Sequence, residues 1–276
     1  MYQAVSYHKR TNTVHIWDDE KGHVQIKYKP YAYRKSSYGR LVALDGQTVD
    51  KVYNPGDEQG LYESDLNPEM RTLIDLYTDS DEASVGHRTL FIDIEVDIAN
   101  GFPTPEEAQN EVTSIAIYDE AGDQRCVWIL DKDNVVENIS KPGYEVISCQ
   151  NEHTLLQKFL YKYYEIQPTI ITGWNIDFFD IPYLYNRMVQ ILGEDLARSL
   201  SPIKDVIWLK HRNRYRISGV SCLDYMALYK NFTYSQESSY SLEAISQKEL
   251  GKCKMKYEGT LDDLLKMIFK VILIIT

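Results

Sequence analysis

The sequence is poor in the features that mark several whole classes of protein. Its 276 residues hold four cysteines, Cys126, Cys149, Cys222 and Cys253, far apart, with no CxxC pair and no histidine at metal-ligand spacing. That pattern excludes a disulfide scaffold and a zinc-ribbon site, and the thiols are expected to be reduced and mostly buried. No apolar run approaches membrane-spanning length, and Met1-Tyr2-Gln3-Ala4-Val5 does not open a signal peptide. Internal repeats and low-complexity segments are missing as well. So is an excess of positive charge: 30 Lys and Arg against 41 Asp and Glu leave a formal charge of −11. Such a balance argues against general polyanion binding, although a local basic patch on an acidic chain still allows a nucleic-acid enzyme.

What is present is an ordinary globular composition, 43% hydrophobic and 26% charged, in a chain long enough for two domains. Tyrosine is abundant at 22 residues, a source of flat stacking surface as well as core volume. Residues 1–86 read as a smaller β-rich domain. Thr13–Trp17 and Val24–Tyr28 flank the turn signal Asp18-Asp19-Glu20-Lys21-Gly22, and Pro30, Gly39, Asp45-Gly46 and Pro55-Gly56 punctuate further short strands. The acidic run from Asp75 to Glu82 reads as an exposed linker in the first place, with a solvated helix end as the alternative. No catalytic arrangement is visible in this part.

From His87 the pattern changes. An opening strand leads into the loop Asn100-Gly101-Phe102-Pro103-Thr104-Pro105. Val112–Tyr118 and Arg125–Leu130 read as a hairpin around Asp119–Asp123. Asn151 can cap a helix reaching Ile166, with Leu155, Leu156, Phe159 and Leu160 at helical spacing. Thr169–Thr172 reads as a buried strand, and Asp180 as the cap of a further helix that tolerates Pro182 in its first turn. Strands and helices alternating after an initial meander define an α/β (α+β) fold class with a mixed central sheet.

Two places carry chemistry. In Phe91-Ile92-Asp93-Ile94-Glu95-Val96-Asp97, residues 93, 95 and 97 share one face of a strand. Carboxylates packed together repel one another unless cations or donors compensate, and oxygen ligands of this kind suit Mg²⁺ or Mn²⁺. A solvated acidic edge strand reads equally well on this stretch alone. In Gly173-Trp174-Asn175-Ile176-Asp177-Phe178-Phe179-Asp180, an Asn and an Asp five residues apart sit at a strand-to-helix turn. There they either converge on one site or serve locally as turn residue and cap. Residues 203–217 form a local basic cluster, Lys204, Lys210, Arg212, Arg214 and Arg216 against Asp205, read as a hairpin turning at His211-Arg212-Asn213-Arg214.

Taken together, Phe91–Glu95 with Gly101-Phe102-Pro103, Thr172–Asn175 with Phe179–Tyr183 and Tyr185-Asn186-Arg187, then Leu200-Ser201-Pro202, Leu223-Asp224-Tyr225 and Ser239–Leu242, resemble the proofreading 3′→5′ exonuclease domain of family B DNA polymerases, the replicative enzymes of T-even-like bacteriophages in particular. Tyr28–Tyr31 and Leu44-Asp45-Gly46 resemble the same polymerases' N-terminal domain. The resemblance implies an RNase H-like exonuclease domain over residues 87–265 after a polymerase-associated domain at 1–86. It further implies two divalent cations, Mg²⁺ or Mn²⁺, held by Asp93, Glu95 and Asp180 as catalytic and metal-binding residues. Asp93 would bridge the two ions. By the same resemblance, Asn175, Phe179, Phe102, Lys210, Arg212 and Arg214 are substrate-binding candidates, and the partners are single-stranded DNA or a frayed primer 3′ end together with the remaining polymerase domains. The setting it implies is the cytoplasm of an infected bacterial host.

One part of that pattern is missing. The family's third motif, a Tyr and an Asp four residues later, should follow Leu261-Asp262-Asp263-Leu264, but residues 266–276 are apolar and contain no carboxylate. Codons able to encode Lys266–Thr276 can, in a shifted frame, spell Asn-Asp-Ile-Gln followed by Ser-Tyr-Thr-His-Tyr-Asn. The segment is therefore expected to be an aberrant, frameshifted tail, which the nucleotide sequence tests. Exonuclease activity is expected to be weak or absent, and polymerase activity to require chain that is not here. The alternative is a non-catalytic DNA- or partner-binding module that retained the fold. A self-standing nuclease of the same fold would draw its last acid from Asp224, Asp262 or Asp263.

Overall fold

The computed structural model describes residues 1–99 and 101–252. The expected tail at 266–276, together with Cys253, Asp262 and Asp263, lies outside them. The chain divides into two compact units, Met1–Gly86 and the part from His87 onward.

In the first unit, β1 (Tyr2–His8), β2 (Thr13–Asp18) and β3 (Gly22–Lys27) form an antiparallel meander. Strands β4 (Tyr31–Lys35), β5 (Leu41–Val42) and β6 (Thr48–Tyr53) form a second sheet in the order β4-β6-β5. Helix α1 (Pro68–Tyr77) follows, with the Asn67 side chain accepting from the Met70 amide at 2.8 Å and Pro68 in the first turn. Asn-Pro is a strong helix-start signal, because proline supplies a helical φ where its missing N–H is not needed. The acidic run therefore starts as the end of α1, at Asp75 to Tyr77, and Asp79 to Glu82 lie beyond the helix.

The second unit is built on one mixed sheet. Its strands are β7 (Thr89–Val96), β8 (Val112–Asp119), β9 (Gln124–Leu130), β10 (Ile139–Lys141), β11 (Tyr144–Cys149), β12 (Ile170–Gly173) and, after a separate hairpin, β15 (Ser221–Asp224). The spatial order is β10-β11-β9-β8-β7-β12-β15. β8 runs antiparallel to both β7 and β9, while β12 and β15 continue the sheet parallel to β7. The hairpin strands are β13 (Val206–Leu209) and β14 (Arg214–Ile217), so the turn falls at residues 210–213, one residue earlier than the sequence suggests. Strands β10, β11 and β15 have no counterpart among the elements expected from sequence.

Helices α2 (Glu152–Ile166) and α3 (Asp180–Leu192) pack into the same buried cluster as this sheet. Leu90, Ile92 and Ile94 of β7 share it with Ile115, Ile117, Trp128, Leu155, Phe159, Tyr163 and Leu184. Asn151 caps α2 as its position suggests, accepting from the Thr154 amide at 2.8 Å. The short α4 (Glu194–Ala197) follows α3, and α5 (Tyr225–Phe232) and α6 (Leu242–Leu250) follow the sheet. Cys126, Cys149 and Cys222 are all free thiols. No described helix is long and apolar enough to cross a membrane.

A buried ion pair fixes the loop that leaves β7. Arg187 donates from Nε and Nη2 to the two carboxylate oxygens of Glu152, both at 2.7 Å, and from Nη1 to the carbonyls of Ala108 and Gln109 at 3.1 and 3.0 Å. Neighbouring positions on α3 grip the same loop: Asn186 Nδ2 reaches Pro105 O at 2.8 Å, Gln190 Nε2 reaches Glu107 O and Tyr183 Oη reaches Asn110 O, both at 2.7 Å. Residues 183, 186, 187 and 190 recur at helical spacing, so one face of α3 serves as the loop's anchor. Replacing Arg187 by Leu leaves Glu152 buried, still accepting from the Val112 amide but without its opposite charge. The variant is expected to lose ~3–5 kcal/mol of stability. The denaturant midpoint and faster proteolysis of the 105–110 loop measure this, and an unchanged midpoint would contradict the assignment.

Candidate active site

Strand β7 alternates in the way its sequence demands. Leu90, Ile92 and Ile94 are buried in the core, whereas Phe91, Asp93 and Glu95 are exposed on the opposite face of the strand. Asp97 does not join them. The register between β7 and β8 shifts after Glu95, the strand ends at Val96, and Asp97 Oδ1 accepts from the Ala99 amide at 2.9 Å. Phe91 takes a place on the same face as the acids, stacked obliquely on Tyr118 with centroids 5.8 Å apart.

The third carboxylate arrives from a different segment. β12 pairs with β7 only as far as Phe91, so among the described residues no strand continues along that side of β7 beyond it. The chain turns there through Gly173, where an added Cβ would meet the carbonyl oxygen of Ile92 at 2.5 Å and Ile176 at 2.6 Å. Asn175 adopts the left-handed conformation at φ 66°, one that Asn tolerates better than most residues. Asp180 is the first residue of α3, with Phe179 in the cap position. Its side chain does not cap the helix. Instead, Asp180 Oδ1 accepts from the backbone N–H of Ile94 at 3.1 Å. The helix start is thereby laid against β7 at the residue that separates Asp93 from Glu95.

This placement has an electrostatic consequence. Asp180 is only 5% exposed. Burial first, and the negative charge of Asp93 and Glu95 after it, push its carboxyl up to about 7, partly offset by the Ile94 N–H. Among the described residues no group of three or more His, Cys, Asp and Glu side chains is assembled to hold a metal ion. Even so, Asp180 and the two carboxylates that oppose its ionisation form an oxygen-only donor set. That set fits a hard divalent cation, whose charge would relieve the repulsion.

The remaining candidates fall in different places. Phe102 is 88% exposed on the loop after β7. Phe179 packs against the core and stacks on Tyr183 at 5.4 Å, leaving its neighbour Phe178 as the half-exposed ring at the turn. Lys210 and Arg212 are exposed at the hairpin tip. Arg214 is engaged otherwise: its Nη1 donates to the buried carboxylate of Asp177, tying β14 to the Asn175–Asp180 turn. Asp224, one of the acids available for a further ligand, accepts four backbone N–H groups, a role that its place in Leu-Asp-Tyr does not announce.

The mixed sheet thus carries two outward carboxylates on one of its inner strands and a third at the helix start beside them. Residues 61–245 match the family model described as DNA polymerase family B, exonuclease domain, and the chain belongs to that family. It is 34% identical over 204 residues to the DNA-directed DNA polymerase of Escherichia phage RB69, covering 64% of this chain and 23% of that one. Over 200 residues it is 33% identical to the DNA-directed DNA polymerase of Enterobacteria phage T4, covering 62% and 22%. A more distant similarity, 27% over 201 residues, links it to the DNA polymerase of Thermococcus litoralis, covering 71% of this chain and 11% of that one. The chain matches under a quarter of the length of each of these relatives.

The raised Asp180 pKa carries a sign that can be checked. In the unfolded chain the group ionises near the ordinary carboxylate value; in the folded chain it holds its proton to about 7. The folded state therefore binds more protons across that window, and stability falls as pH rises from about 4 to 7. Asp180→Asn keeps an oxygen for the Ile94 N–H but cannot ionise. In chelator-containing buffer its melting temperature is expected to exceed that of the unaltered chain at pH ~8 and to match it at pH ~4. Equal differences at both pH values would contradict the burial argument.

Proposed function

We propose that this chain carries the N-terminal and exonuclease portions of a phage-type family B DNA polymerase, and that its acidic site hydrolyses single-stranded DNA from the 3′ end. The observation that carries the reading is the electrostatic coupling of Asp180, at the start of α3, to Asp93 and Glu95 of β7. The strand order is compatible with an RNase H-like core, three antiparallel strands continued by two parallel ones.

In the reaction, water adds to phosphorus, the bond from phosphorus to the 3′ oxygen breaks, and a 5′ mononucleotide leaves with a new 3′ hydroxyl on the shortened strand. Asp93, Glu95 and Asp180 would hold two divalent cations, Mg²⁺ or Mn²⁺, which when bound acidify the attacking water and stabilise the departing oxygen. Asn175, held in its turn beside them, would orient the terminal nucleotide. Phe102 offers an exposed ring for stacking against the end of the strand, and Lys210 and Arg212 offer charge for its phosphates. Phe179 would act by packing under the turn.

The test is release of mononucleotide from a 3′-labelled single strand with Mg²⁺. Release lost in Asp93→Ala is the expected outcome, and release that survives the variant would remove the site. The exposed Lys210 and Arg212 also suit a second reading, a DNA-binding module that does not cut, for which salt-sensitive binding without Mg²⁺-dependent release is the signature.

The hairpin arginines separate cleanly in this scheme. Arg212→Ala is expected to weaken binding of single strands of any sequence and to shallow the salt dependence by about one phosphate contact, with the melting temperature unchanged. Arg214→Ala is expected to lower the melting temperature because it strands the buried Asp177 carboxylate. Equal effects of the two substitutions on stability would contradict the distinction.

A further inference from the structure

Asp224 closes β15 at the register position opposite Gly173 of β12, and it is 3% exposed. Its Oδ1 accepts from the amides of Met226 at 2.9 Å and Ala227 at 3.2 Å, which caps α5. That alone would make it an ordinary helix cap. The same oxygen also accepts from the Asn175 amide at 3.2 Å, and Oδ2 accepts from the Asp177 amide at 3.2 Å. One carboxylate thus joins the first turn of α5 to the strand-to-helix turn 47 and 49 residues earlier.

The neighbouring contacts reinforce this joint. Thr172 Oγ1 donates to Leu223 O at 2.7 Å, holding the ends of β12 and β15 together, and Trp174 packs against Tyr225 and Tyr229 of α5. Within the turn, Phe178 and Phe179 donate to Asn175 O, and Ile181 donates to Ile176 O. The position of Asp180 therefore follows from where residues 175 and 177 are held, and its contact with the Ile94 amide is the end of that chain of bonds.

We propose that Asp224 is a positioning residue for the acidic site: its carboxylate sets the Asn175–Asp180 turn and so the placement of Asp180 against β7. The proposal rests on the hydrolytic reading above for its catalytic consequence, and on the bond pattern alone for its structural one. The carboxylate does not act as a ligand. It acts through the backbone: Oδ1 already reaches both segments, and the second acceptor oxygen adds the Asp177 amide and with it the middle of the turn.

Asp224→Asn tests this because asparagine is itself a good helix cap. Its oxygen can keep the bonds to Met226, Ala227 and Asn175, while the amide group then opposes the Asp177 N–H, donor against donor. Hydrogen exchange on the full chain is expected to quicken about tenfold or more at the Asp177 and Ile94 amides, with Met226 and Ala227 unchanged. In the single-strand assay kcat is expected to fall about tenfold to a hundredfold with KM within about twofold, as misplacement of a reacting group requires. An Ile94 amide as protected as before, alongside a quickened Asp177, would overturn the proposal, as would a rise in KM at constant kcat. Should Asp224→Asn fail to fold, Asp224→Ser, which caps α5 but cannot reach residue 177, is read by the same amides. Absence of hydrolysis by the unaltered chain would refute the hydrolytic reading, while the Ile94 amide still decides the role of Asp224.

Discussion

The hydrogen bond from the Ile94 amide to Asp180 is the contact on which the arrangement of the site depends. It exists because β12 stops pairing with β7 at Phe91, leaving the backbone of the central strand open on one side just where the acids lie. A buried amide without a partner costs free energy, and so does a buried carboxyl. Joining the two reduces both penalties. It also sets the start of α3 over β7 with a carboxylate facing two others, a geometry that side-chain packing alone would not select.

The cost of that geometry is visible in the titration of Asp180. Desolvation and the charge of Asp93 and Glu95 oppose its ionisation, so in the absence of counter-charge the site is a point of strain in an otherwise apolar joint between sheet and helix. Under the proposed function, cations held there would relieve that opposition, and binding and stability would be linked through the Asp180 carboxyl.

Around this point the structure uses buried polar groups as joints. Arg187 with Glu152 anchors the loop after β7 to two helices, Arg214 with Asp177 ties the hairpin to the turn, and Asp224 gathers four amides from two segments. Each brings together residues distant in sequence. Lost singly, each would leave a buried group without its partner, which is why none behaves like an interchangeable surface pair. Arg214, a substrate-contact candidate in the sequence, takes part in this bracing.

The alternation of Leu90, Ile92 and Ile94 with Asp93 and Glu95 is legible from sequence, because a strand with one buried face must repeat every second residue. So are the Asn151 cap of α2 and the turn at Gly173–Asn175. These are local rules. The acidic run at Asp75 reads as a linker only when the Asn-Pro helix start before it is ignored, and that signal is local too. Asp180 is recognisable as an acid at a helix start, but not that its side chain bypasses the helix and bonds to a strand 86 residues earlier. Nor can spacing reveal that Asp97 leaves the acidic face or that Asp224 binds backbone on two segments. Those outcomes depend on where unpaired amides and low dielectric fall once the sheet has closed, and only the tertiary structure decides that.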